Sequence, residues 1–256
     1  EAGLARLLDR GVYLVSEVMV SDPQVERQRT LADRYGISVT GDNRLATRAS
    51  DVILLAIKPQ LYQPVVSALQ SGESSATTRP LVISILAGTP LSQLEQAFVD
   101  YPVVRVMPNT PATIGAGMTA IAGGQQTQPQ HLALAHQIFQ SVGEVIEVPE
   151  SLMDAVTGLS GSGPGYVAII IEALADGGVA AGLPRAVALQ LAIQTVKGTA
   201  QLLQESGLHP AMLKDQVTSP GGTTIAAIAK LERGNIRSTL IAAVMAACAR
   251  SQELGK

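Results

Sequence analysis

Apolar positions fall into two regimes along the 256 residues. Up to about residue 148, short apolar runs alternate with segments of helical spacing. Ala2, Leu4, Ala5, Leu7 and Leu8 form a stripe at helical period that ends at Gly11. "EVMVSD" (17–22) reads as a strand and 24–36 as a helix closing at Gly36. "DVILLAIKP" (51–59), "PLVISILAG" (80–88) and "VVRVMP" (103–108) are strands too apolar for one-sided burial, with "PLSQLEQAFV" (90–99) as a helix between the last two. "MTAIAGG" and "EVIEVP" add two strands around a helix near 129–141. Strand and helix in alternation predict a parallel sheet covered on both faces, a doubly wound, Rossmann-like α/β domain over residues 1–148.

Past Pro149 the strand signal ends. Residues 149–256 carry only Ala- and Leu-rich helical periods, at 151–182, 184–205, 210–216, 224–233 and 235–254, and form an all-α domain. Pro164 is expected to interrupt the first of these. With five lysines in the whole chain, helices this apolar need more burial than one thin layer supplies, and a second copy of the chain is the natural cover.

Composition narrows the function. Net charge is −3 and no run of Lys or Arg occurs, which argues against nucleic acid and against a polybasic membrane patch. No apolar run reaches the ~18 residues of a membrane span. A single cysteine, Cys248, excludes an internal disulfide, reads as a small hydrophobe of an Ala-rich helix, and fits a cytoplasmic protein. His131, His136 and His209 share no helix face, so no metal site is expected.

Doubly wound sheets bind ligands beyond the carboxyl ends of their strands. Those ends carry Asp22, then Lys58-Pro59, then Ala87-Gly88, then Pro108-Asn109-Thr110-Pro111. "MPNTPATIGAG" packs two Pro and two Gly into eleven residues, a rigid loop suited to line a crevice. The glycine-rich turn of a dinucleotide site is not found: glycines in the first forty-five residues stand at 3, 11, 36 and 41. The first strand and its turn are therefore expected to lie before Glu1.

In the second half, "VTSPGGTTIAAI" (217–228) places a Pro, two Gly and two Thr immediately before a helix. Gly221 and Gly222 let the backbone approach a ligand, Pro220 stiffens the approach, and the helix start offers free N–H groups to an anion. Thr223 or Thr224 can cap the helix or donate a hydrogen bond.

Together "DVILLAIKPQ", "ISILAG", "RVMPNTPATIGAGMTAI", "LSGSGPGYV", "EALADGGVAAGLPR" and "KDQVTSPGGTTIAAI" make the chain resemble the pyrroline-5-carboxylate reductase family from its first helix to its last. The resemblance implies hydride transfer from NADPH, or NADH, to the C=N carbon of 1-pyrroline-5-carboxylate, giving proline. It implies Thr224 at the imine nitrogen, with Ser219, Gly221, Gly222 and Thr223 around the carboxylate. Ala56, Ile57, Lys58 and Pro59 would lie along the dinucleotide, Ala87 and Gly88 at its nicotinamide end, and Asn43 nearer the adenosine. Met107, Pro108 and Asn109 would wall the crevice, with Gln216 approaching from the helical domain. It also implies a homo-oligomer through the helical domains, a dimer or a ring of dimers. Cofactor choice stays open: Asp22 stands where a carboxylate holds an unphosphorylated ribose, while Arg27 and Arg29 could counter a 2′-phosphate.

Two other readings compete. A β-hydroxyacid dehydrogenase-type enzyme shares the architecture but needs a lysine after the sheet domain, and residues 151–196 contain none. A non-catalytic dinucleotide-sensing scaffold is compatible with the missing glycine turn, yet has no use for the 214–225 motif.

Overall fold

The computed structural model describes residues 2–48, 50–70 and 79–255, except for the side chains of Ala2, Pro59 and Gln70. The first unit begins with α1 (Ala2–Asp9), β1 (Met19–Ser21), α2 (Val25–Tyr35), β2 (Ser38–Thr40), α3 (Asn43–Thr47), β3 (Val52–Leu55) and α4 (Tyr62–Gln70). It continues through β4 (Leu81–Ser84), α5 (Leu91–Ala97), β5 (Val103–Met107), β6 (Gly117–Gly123), α6 (Pro129–Gln140), β7 (Gly143–Glu147) and α7 (Met153–Val156). Then follow α8 (Gly163–Ala180), α9 (Arg185–Ser206), α10 (Pro210–Gln216), α11 (Thr223–Arg233) and α12 (Ile236–Leu254).

Strands β1 and β2 form a parallel pair, with Ser21 opposite Thr40. The other five form a second sheet in the order β3-β4-β5-β6-β7. Its β3, β4 and β5 are mutually parallel, but β6 runs antiparallel to β5, so the sheet is mixed where the sequence pattern predicts a parallel one. The cause is connection length. Only residues 108–116 join β5 to β6, too few for a parallel crossover, whereas α6 carries the chain from β6 to its parallel neighbour β7.

Side chains divide between the two faces with period two. Val82, Val103, Ala120 and Ala122 point to one core with Tyr62 and Val66 of α4, Leu91 and Leu94 of α5, and Met153. Leu81, Ile83, Val104, Val106 and Ile121 point to the other, with Ala135, Ile138 and Phe139 of α6 and Leu7 of α1 at its margin. Both faces are covered, which is why the strands read as continuous apolar runs.

The helical half differs from the pattern at one place. The expected helix over 151–182 is broken into α7, a π-helical turn at Thr157–Gly161, and α8. Pro164 is not the breaker. It sits in the first turn of α8, where its missing N–H costs no helical bond. Compact packing divides the chain at Gly161/Ser162 rather than at Pro149: residues 1–161 and 246–256 form one unit, and 162–245 the other. Met153 explains the difference, being fully buried in the sheet core, and so does Ser251 near the end of α12, whose hydroxyl donates to Asp154 Oδ1 at 2.6 Å.

The second unit has little core of its own. Ala175, Ala188 and Ala192 are buried where α8 meets α9. Ile169, Leu189, Ile193 and Ile241 are among its exposed apolar side chains. No helix among the described residues is long and apolar enough to cross a membrane.

Candidate active site

The carboxyl ends of β3, β4 and β5 lie along one edge of their sheet, because the three strands are parallel. Beyond β3, Ala56 and Lys58 are exposed, Ile57 is half-buried against the core, and Pro59 opens a short 3-10 turn. Beyond β4, Ala87 is exposed while Gly88 is buried, with φ of +74°. A side chain there would be strained by that φ and would press on Leu254, whose Cβ lies 3.2 Å from the position a Cβ would take.

Beyond β5, Met107 and Pro108 are half-buried. The Met107 methyl fills the space that a side chain at Gly161 would need. Asn109 is committed within the fold: its Nδ2 donates to Ser160 O at 3.1 Å, and its Oδ1 accepts from Met118 N at 2.9 Å. Its amide braces the crevice loop against the π-helical turn, a bracing role that sequence reasoning did not separate from ligand contact.

At the other sheet, Asp22 and Asn43 follow paired strand ends. Asp22 N–H donates to Thr40 O, while Asp22 Oδ1 accepts from Gln24 N at 2.8 Å in the turn before α2. One carboxylate oxygen of Asp22 is thus already engaged by the backbone. Asn43 opens α3 behind Asp42, the N-cap, which accepts from Arg44 N at 2.9 Å. Arg44 also grips Asp42 with a forked pair, Nε to Oδ1 at 3.0 Å and Nη2 to Oδ2 at 2.9 Å. Those hydrogen bonds hold the Asp42 carboxyl below its usual range and raise the Arg44 guanidinium. Arg44 was missed in the sequence. A basic residue two past a strand-end Asp was the available signal.

These residues fit a dinucleotide. Open strand ends carry small residues where a planar group would lie, the cation Arg44 stands beside Asn43, and Ser21, the last residue of β1, has a buried hydroxyl without a partner among the described residues.

The other half of the predicted site belongs to the helical unit. Gly222 N–H donates to Ser219 O at 3.1 Å, closing a turn with Pro220 at its second position and Gly221 at its third. The φ of +67° at Gly221 makes this a type II turn, for which that Pro-Gly order is the favoured sequence. Gly222 is the N-cap of α11, with no side chain capping it. Thr223 and Thr224 therefore occupy the first two helical positions and do not cap, contrary to one of the roles the sequence allowed. The first N–H groups of the helix stand free of intrahelical partners, beside two threonine hydroxyls. A side chain at Gly222 would displace the Ser219 hydroxyl from its place beside the helix start. Thr218 Oγ1 donates to Lys214 O at 2.6 Å and ties the turn back to α10, whose last residue is the exposed Gln216.

An α/β unit open at its strand ends, followed by helices that present an anion-ready turn, defines the class of two-domain nicotinamide-dependent oxidoreductases. Comparison with known proteins is specific within that class. Residues 150–254 match the family model described as pyrroline-5-carboxylate reductase dimerisation, and residues 1–88 match one described as NADP oxidoreductase, coenzyme F420-dependent. A pyrroline-5-carboxylate reductase of Synechocystis sp. is 56% identical over 256 residues, 100% of this chain and 94% of that protein. Pyrroline-5-carboxylate reductase 2 of Homo sapiens is 41% identical over 95% of this chain and 77% of its own. Among solved structures, the Coxiella burnetii pyrroline-5-carboxylate reductase superposes with a TM-score of 0.92 at 34% identity, covering 100% of this chain and 94% of that one. The Plasmodium falciparum pyrroline carboxylate reductase, solved with NADP bound, gives 0.88 at 30% identity over 100% of this chain and 94% of its own. The chain belongs to the pyrroline-5-carboxylate reductase family, and its helical half carries that family's dimerisation domain.

Proposed function

We propose that the protein reduces 1-pyrroline-5-carboxylate to proline, the last step of proline biosynthesis, with NADPH as the preferred reductant. The observation that carries the reading is the 219–224 turn: a type II turn delivering an uncapped helix start and two threonines at one point. The substrate offers one carboxylate and one ring imine, which call for an anion cradle and a hydrogen-bond donor a few ångströms apart.

The reduced nicotinamide supplies the hydride. The chain's own residues do the rest. The free N–H groups of Thr223 and Thr224 at the positive end of α11, with the Ser219 hydroxyl, hold the carboxylate, and the bare backbone of Gly221 and Gly222 leaves it room to approach. Thr224 donates its hydroxyl hydrogen bond to the imine nitrogen and fixes the ring. A hydroxyl is a weak acid near neutral pH, so Thr224 orients an iminium already protonated from solvent rather than supplying the proton itself. Ala56, Ile57, Lys58, Pro59, Ala87 and Gly88 hold the dinucleotide at the strand ends, with Met107 and Pro108 beside it. At the adenosine end Asn43 and the cations Arg27, Arg29 and Arg44 favour a 2′-phosphate, because one oxygen of Asp22 is already occupied by Gln24 N–H.

Exposed apolar faces on α8, α9 and α12 are covered by a second copy, and dimers assemble further into a ring. The single unpaired Cys248 is at home in the cytoplasm. The reading is tested by NADPH consumption that depends on pyrroline-5-carboxylate and yields proline by mass spectrometry. A second arm compares kcat/KM for NADPH with NADH: preference for NADH would overturn the cofactor assignment alone.

A further inference from the structure

The end of α12 returns to the sheet unit and lies against the loop that follows β4. Leu254 Cβ, C and O stand 3.2–3.3 Å from where a Cβ on Gly88 would lie, and Gly88 O stands 3.1 Å from where one on Gly255 would lie. The end of α12 thus packs closely on the loop, where a side chain would crowd it, and the φ of +74° at Gly88 favours glycine as well. The contact is latched one turn earlier. Ser251 is 4% exposed, and its hydroxyl donates to Asp154 Oδ1 at 2.6 Å across 97 residues of chain. Asp154 follows Met153, which is fully buried in the same core as Leu86, two residues before Gly88. Latch, core and loop therefore form one connected set within the first unit. Ala87, beside Gly88, stays exposed on the crevice.

We infer that the carboxyl-terminal turn of α12 is a positioning element for hydride transfer: latched by Ser251 and Asp154, it fixes the Ala87–Gly88 loop in its left-handed conformation from behind. The inference rests on the reductase reading, which places Ala87 and Gly88 at the nicotinamide end of the dinucleotide. Ser251 and Asp154 bond each other and act on the loop through the Leu254–Gly88 packing. A loop free to shift by an ångström at this point would misalign the reacting atoms, and misplacement on that scale costs on the order of 100-fold in rate.

The test compares Ser251→Ala, Ser251→Thr and Asp154→Asn in the full-length protein. Two readouts are used: hydrogen exchange of segment 85–91 without any ligand, and steady-state kinetics. Ser251→Ala is expected to speed exchange in 85–91 and lower kcat by about 10-fold or more, with KM for pyrroline-5-carboxylate within about twofold. Ser251→Thr, which keeps the hydroxyl, restores both. Asp154→Asn retains an acceptor oxygen and falls between, which keeps the test informative if Ser251→Ala folds poorly. Unchanged exchange in 85–91, or a lowered melting temperature with kcat intact, would overturn the inference and leave the turn a structural cap. Failure of the wild-type protein to oxidise NADPH would instead overturn the reductase reading, and the exchange comparison would still decide whether the latch holds the loop.

Discussion

Gly221→Ala isolates the backbone requirement of the 219–222 turn. Gly221 has φ of +67° and nothing within 4 Å of the place a Cβ would take, so a methyl group there meets no neighbour. The whole cost is conformational. Holding an L-residue in the left-handed region costs about 1–2 kcal/mol, and alanine recovers about 0.5 kcal/mol of that by restricting the unfolded chain. The net is a loss of about 1 kcal/mol, or about 2–4 °C in melting temperature for a chain of this size at fixed protein concentration. Gly221→Asn, which tolerates the left-handed region, should lose roughly half as much. Activity should suffer more than stability, since relaxing the strain rotates the Gly222 N–H away from Ser219 O and disperses the carboxylate cradle. kcat/KM is expected to fall about 10-fold or more. Thermal denaturation and steady-state kinetics on the three proteins decide the matter. A stabilised Gly221→Ala would mean that residue 221 has negative φ in the working enzyme, and the type II turn would be wrong.

Other perturbations probe separate links. Thr224→Ala should lower kcat by about 100-fold with a melting temperature within about 2 °C of wild type, and Thr224→Ser should keep most of the rate; equal losses in rate and stability would return Thr224 to a structural role. Glu150→Ala strips the partner from Arg105, whose side chain is 9% exposed and 3.1 Å from Glu150 Oε1, and orphans Leu91 N–H as well; a loss of about 2–4 kcal/mol in chemical denaturation is expected, and a loss under about 0.5 kcal/mol would contradict the pairing. Burial pushes the Tyr62 hydroxyl, which donates to Gln93 O, above the usual tyrosine value of 10.0. The folded state then holds that proton more tightly than the unfolded one, so its contribution to stability is complete below about pH 10 and is lost as pH rises through the folded value; Tyr62→Phe should flatten this alkaline decline. Ile169→Glu places a charge on the apolar face of α8, at a side chain that is 66% exposed, and should dissociate the oligomer in sedimentation, whereas unchanged assembly would move the interface elsewhere.

The sequence pattern located most elements because burial on both faces leaves an unmistakable signature in continuous apolar runs such as β4 and β5. Three elements escaped it. Strand β2 is three residues long and α3 five, too short to show a period, while α4 carries Tyr62, Val65, Val66 and Leu69 at helical spacing behind a proline in its first turn that reads as a break. Strand direction at β6 was also illegible, since apolar alternation carries no polarity; only the nine-residue connection before it decides. At the site, the Pro-Gly-Gly order revealed the turn and the helix start beyond it. Which residue capped that helix did not follow, because Gly222, Thr223 and Thr224 are all acceptable at an N-cap and only backbone angles distinguish them. The Asn109 brace and the Ser251–Asp154 latch join residues far apart in sequence, and composition says nothing about such pairs.

The most direct test of the central claim mixes the full-length protein with NADPH and pyrroline-5-carboxylate, and follows nicotinamide absorbance and proline together. One proline formed per NADPH oxidised, abolished by omitting either the protein or the imine, is the predicted result. Binding of NADPH without oxidation on adding the imine would contradict it, leaving a dinucleotide-binding oligomer in place of a reductase.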